Sequence, residues 1–138
     1  MKRVYLDSNV FISLFCTEIG RGMRGLFAEA GLFFEKIKKN NDCTIILSNL
    51  FFEEIKWKTF LDRDSAIDYF RKAGIKIDCP KESGRNAFEI SKKGIHWSDA
   101  MHVKIAVESG CCMIVTFNKK DFEPASSLIQ IIEPREFI

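Results

Sequence analysis

Short apolar runs alternate along the chain with stretches in which apolar residues recur every three or four positions, a pattern that predicts strands separated by helices. Residues 3–6 read as a buried strand. Asp7-Ser8-Asn9 then supplies side chains that favour a turn or helix start over continued strand. Val10, Phe11, Ile12, Leu14 and Phe15 predict a helix running off that strand. Over residues 22–39, Met23, Leu26, Phe27, Ala30, Phe33, Phe34 and Ile37 keep helical spacing, with Lys36, Lys38 and Lys39 in the last turn where they suit the helix dipole. A β-branched run over residues 44–47 predicts the next strand, and Ser48 is a good N-cap for a helix carrying Leu50, Phe51, Glu54 and Ile55.

The second half continues in the same way. Residues 62–73 predict a helix that Gly74 ends, residues 75–77 a short strand, and Pro80 a stop to any continuation. Helices are expected over residues 83–93, capped by Gly94, and over residues 98–109, closed by Gly110. Residues 112–116 predict a strand, and residues 128–132 an edge strand that ends before Pro134. Strands separated by helices, with few hairpin signals, imply an α/β three-layer sandwich: a central, mostly parallel sheet flanked by helices. The whole of residues 1–138 is read as one domain, a length that buries a real core without staples.

Four carboxylates fall where the chain should be leaving strands or entering helices: Asp7, Glu54, Asp99 and Asp121. In open α/β sheets such chain ends converge in a crevice. Two carboxylates about 4 Å apart repel by roughly 1 kcal/mol in water and about 4 kcal/mol at an effective dielectric of about 20. A cluster of four therefore calls for a divalent cation, and Mg²⁺ or Mn²⁺ suits oxygen ligands and phosphodiester hydrolysis. Each acid taken singly has a plainer reading, as a turn residue, a helix-dipole partner or a solvated helix acid. Their joint order is what points to a metal site.

The blocks around these acids resemble the PIN domain family, and within it the compact VapC-type toxins. YLDSNVFISLF is similar to the family's opening motif, with Asp7 as the first acid and Asn9 beside it. ILSNLFFEEI is similar to the second block, where the register favours Glu54 and Glu53 is the alternative. WSDAMHVKIAVESG resembles the third, with Asp99, and VTFNKKDF the fourth, with Thr116, Asn118 and Asp121. The resemblance implies a PIN-like fold and Mg²⁺- or Mn²⁺-dependent endoribonuclease activity. It further implies Asp7, Glu54, Asp99 and Asp121 as metal-site and catalytic acids, with Asn9, Thr116 and Asn118 in support. An RNA substrate, a protein antitoxin and a homodimer follow as expected partners.

Other features add less. A formal charge of +2 neither demands nor excludes a polyanion, so basic residues must act as patches; Lys56, Lys58, Lys119 and Lys120 flank the expected pocket. His102, about one turn after Asp99, reads as a core histidine, with contact to the site as the alternative. Phe51, Phe52, Trp57 and Phe60 read as core or dimer packing, with base stacking as the alternative. The same packing reading covers the Phe-rich stretch 26–37, an antitoxin groove being its alternative. Five cysteines, odd in number and without CxxC spacing, fit free thiols in a reducing compartment. With no signal-like start and no run near the roughly 20 apolar residues of a membrane span, the expected location is the cytoplasm. Two other functions compete: a non-catalytic PIN-like binding module, and a haloacid-dehalogenase-type phosphatase. The latter wants a second acid where Asn9 stands.

Overall fold

The computed structural model describes residues 2–18, 24–82 and 86–138. Among these, β1 (Lys2–Leu6), β2 (Cys43–Ile46), β3 (Ile77–Asp78), β4 (Met113–Val115) and β5 (Gln130–Ile132) form a sheet in the order β3-β2-β1-β4-β5. Every pairing is parallel. Parallel neighbours need crossovers. Those crossovers carry α1 (Ser8–Glu18), α2 (Arg24–Lys39), α3 (Asn49–Thr59), α4 (Arg63–Lys72), α5 (Phe88–Ser91), α6 (Trp97–Glu108) and α7 (Lys119–Phe122).

Because strand side chains alternate, each strand feeds both faces of the sheet. Val4 and Leu6 of β1, Ile45 of β2 and Met113 and Val115 of β4 face one core, with Phe11, Phe33, Phe51 and Phe70 from α1 to α4. Tyr5, Ile46 and Ile114, one position along, face the other, with Ala100, Val103 and Ala106 of α6 and Phe122 of α7. Helices on both faces of a parallel sheet make the expected three-layer α/β sandwich, which matches the PIN-like topology.

Local signals act largely where the pattern puts them. Ser48 caps α3, its hydroxyl accepting from the Phe51 N–H at 3.0 Å, and Asp62 caps α4 through the Ser65 N–H at 2.8 Å. Helix α6 begins a residue earlier than predicted, with the His96 ring accepting from the Ser98 N–H at 3.3 Å. The helix predicted over residues 83–93 is a single turn at Phe88–Ser91, and none of its residues is buried, so nothing extends it. Residues 83–85 of that expectation, and residues 22–23 of the one over 22–39, lie outside the described residues. No helix among the described residues is long and apolar enough to cross a membrane.

Candidate metal site

From β1 the chain goes out to β2 and β3 on one side, then crosses back to β4 and β5 on the other. The loops leaving β1 and β4 therefore part at their carboxyl ends and open a crevice between them. Asp7 is the first residue beyond β1, and its N–H donates to the Val115 carbonyl at 3.0 Å. Thr116 is the first beyond β4 and fully buried. Its hydroxyl donates to Asp7 Oδ2 at 2.7 Å and accepts from Asn9 Nδ2 at 3.3 Å and the Asn118 N–H at 3.0 Å. The other end of Asn9, Oδ1, accepts from the Phe117 N–H at 3.2 Å. One hydroxyl thus joins the two loops and holds the first acid.

Helix α3 brings Glu54 across from the neighbouring strand. The Ser8 hydroxyl donates to Glu54 Oε1 at 2.7 Å, and His102 Nε2 meets the same oxygen at 3.0 Å. His102 is 1 % exposed, as a core histidine should be, yet it also reaches the site: Nε2 is 3.8 Å from Asp7 Oδ1. Its Nδ1 is hydrogen-bonded to the Tyr5 hydroxyl, which in turn lies 2.7 Å from Ser48 Oγ. Whether the ring is an imidazolium or the neutral tautomer that accepts from Tyr5, Nε2 carries a proton toward Glu54. His102 accordingly holds the second acid in place.

Asp7, Glu54 and Asp99 line one pocket of about 380 Å³ with Ser8, Asn9, Asn118, Trp57 and Lys58. Three carboxylates face a single lysine there. Burial raises the Asp7 pKa against the pull of His102 and Thr116. Burial also raises that of Asp99, and the charges of Asp7 and Asp121 push it further. Glu54 goes the other way: burial would raise it, but the His102 and Ser8 hydrogen bonds carry it below the ordinary carboxylate value. Burial opposes charge on His102, and the Glu54 and Asp7 carboxylates outweigh that and raise its pKa. The pocket is an anionic hollow short of positive charge.

One ligand atom each from Asp7, Glu54 and His102 lies within 4.8 Å of the others, a set able to take a divalent cation once the His102 ring gives up the proton it directs at Glu54. Carboxylate oxygens suit Mg²⁺ and Mn²⁺ alike, whereas imidazole suits the transition ion. Asp99 shares the pocket but stands outside that tight set; Asp121 is exposed on α7, beyond the pocket lining yet near enough to act on Asp99. Glu53, the alternative second acid, instead faces a surface hollow with Lys56, Trp57 and Phe60. Of the lysines expected to flank the pocket, Lys58 lines it, and Lys119 is paired with Glu136 at 3.0 Å.

Tyr5, Ser8 and the second role of Ser48 were not foreseen from the sequence. Ser8 reads as a turn residue and Tyr5 as one more apolar strand position. The available signal was the hydroxyl itself: a tyrosine in a strand buried on both faces needs a polar partner, and here it has two. Among the four aromatics expected to pack, Phe51 and Phe52 are buried, but Trp57 and Phe60 are 84 % and 85 % exposed. No protein-family model matches the chain, and no curated protein is significantly similar to it.

Proposed function

We propose that this protein is a Mg²⁺- or Mn²⁺-dependent endoribonuclease, the toxin of a toxin–antitoxin pair, working in the cytoplasm as a homodimer and restrained by a protein antitoxin. The observation that supports this reading is the meeting of Asp7, Glu54 and Asp99 in one pocket whose lining carries a single lysine, Lys58, with the His102 ring against Glu54. Asp7, Glu54 and Asp99 would hold the ion, with Asp121 at the margin. When bound, the ion supplies a Lewis acid that polarises a phosphodiester and activates water.

The chain's own groups prepare that chemistry. Thr116 fixes the Asp7 carboxylate, while Ser8 and His102 fix that of Glu54, so neither must reorganise as charge develops. Lys58 would meet a phosphate oxygen from the pocket wall, which Asn118 also lines. Asn9 stands where phosphatase chemistry would need an acid, and its amide is engaged at both ends.

Replacing Asp7 or Asp99 by Asn tests the proposal on a single-stranded oligoribonucleotide with Mg²⁺ or Mn²⁺. Cleavage should fall by about a hundredfold or more in each variant while circular dichroism stays native. Undiminished cleavage in both refutes the assignment. Failure of the wild type to bind either ion in calorimetry would favour a non-catalytic binding module.

A further inference from the structure

Two large rings stand out of the surface next to the acidic pocket. Trp57 is 84 % exposed near the end of α3, and Phe60, just beyond it, is 85 % exposed. Together with Glu53 and Lys56 they line a shallow hollow of about 340 Å³. Trp57 also lines the acidic pocket, so the two hollows share one wall.

Neither ring is explained by the fold. Trp57 and Phe60 belong to neither core cluster. Phe60 ends α3 with φ of 61°, the one non-glycine residue with positive φ among the described residues. That left-handed position favours Gly or Asn, and a bulky side chain there is strained. An exposed ring recovers none of that strain through packing. A strained backbone that burial does not repay points to use outside the fold.

The size of the patch indicates what it takes. An aromatic side chain offers about 150–250 Å², so two offer roughly 300–500 Å². A stable protein interface needs about 800 Å² from each partner. Exposed Glu53 and Lys56 line the hollow with the two rings, and exposed Lys58 shares the acidic pocket with Trp57. Two aromatic rings with Lys56 and Lys58 at hand, beside a pocket suited to a phosphodiester, match one or two unpaired bases and their backbone.

We infer that Trp57 and Phe60 form a stacking platform for unpaired nucleobases next to the phosphodiester held in the acidic pocket, with Lys58 meeting the backbone between them. The inference rests on the nuclease reading above and adds a single-stranded substrate to it. The platform binds bases of any sequence, because every base has a π face. Duplex RNA, whose bases are already stacked, is a poor substrate.

The test has two arms. In steady-state cleavage of a single-stranded oligoribonucleotide, Trp57→Ala should raise KM about tenfold with kcat little changed, and Trp57→Phe should restore most of the loss. Phe60→Gly should also raise KM while increasing thermal stability, a combination that a structural role would not produce. In the second arm, Trp97→Phe leaves Trp57 as the only tryptophan. Its emission should be quenched by the oligoribonucleotide, and much less by one of equal length lacking bases.

If the wild type does not cleave but Trp57 is quenched in a base-dependent way, the nuclease reading falls and the platform stands. Cleavage with unchanged KM in Trp57→Ala and no base-dependent quenching overturns the platform alone. A wild-type dimer in sedimentation that Trp57→Ala splits assigns the patch to a second copy of the chain and likewise overturns it.

Discussion

Thr116 carries more of the site than its size suggests. Its hydroxyl spends its one proton on Asp7 and accepts from both Asn9 and Asn118. Replacement by Val keeps the shape and removes all three bonds, leaving a buried carboxylate oxygen and a backbone N–H without that partner. The expected cost is about 1–3 kcal/mol in urea unfolding, with Thr116→Ser close to wild type. Equal stability of the Val and Ser variants would show the hydroxyl to be dispensable. Thr116 was legible in the sequence as a supporting residue through the VTFNKKDF block. The Tyr5–His102–Glu54 connection was not, because a helical spacing marks His102 as buried without saying what lies opposite it. Opposite it are two residues 97 and 48 positions away along the chain.

Glycines that punctuate the pattern were read correctly where a left-handed residue ends a helix. Gly74 and Gly110 have φ of 76° and 72°, as their expected positions as helix breakers require. At Gly110 the chain turns from α6 into β4, the strand that delivers Thr116 to the site. A Cβ built there meets nothing within 4 Å, so Gly110→Ala should cost roughly 1–2 kcal/mol from the backbone alone. Thermal unfolding measures it, and an unchanged midpoint would contradict the backbone argument. Phe60 shows the converse: a helix end without glycine, which local rules for helix stops do not anticipate. The over-long helix expected at residues 83–93 has a different cause. Its spacing is helical, but Ala87 and Ile95 are buried on either side of an α5 that packs only a half-buried Ile90 against the core, and packing sets helix length more than propensity does.

Over the whole molecule, the pocket's uncompensated charge should govern how stability varies with pH. Asp7 and Asp99 have folded pKa values raised above their unfolded ones, so the folded state holds more protons and stability falls as pH rises through that interval. His102 is raised as well, so its contribution is complete below its ordinary value of 6.5 and is lost as pH climbs through the raised one. Glu54 is lowered and loses its contribution only in stronger acid. Without metal, the unfolding midpoint should therefore decline as pH rises above the ordinary carboxylate range, and decline further as it passes the ordinary imidazole value. Divalent ion at a hundred times its dissociation constant should add about 2.7 kcal/mol at neutral pH. That gain should shrink on acidification as protons compete for Asp7 and Asp99, and chelation should abolish it. A midpoint indifferent to Mg²⁺ and Mn²⁺ at every pH would leave the cluster without an ion to hold.

The order of strands and helices, the caps at Ser48 and Asp62, and the positions of Asp7 just past a strand, Glu54 midway along α3 and Asp99 in the first turn of α6 were all encoded locally. Each depends on side-chain period and on residues a few positions apart. Which strands are neighbours was not encoded there. The site exists because β4 pairs with β1 and β2 lies on the other side, a choice made by burying apolar faces of segments more than a hundred residues apart. The same long-range packing put Glu54 inward and Glu53 outward, joined His102 to both Asp7 and Glu54, and left Trp57 and Phe60 in solvent. Periodicity tells a residue whether it is buried; only the closed fold supplies the neighbour it is buried against.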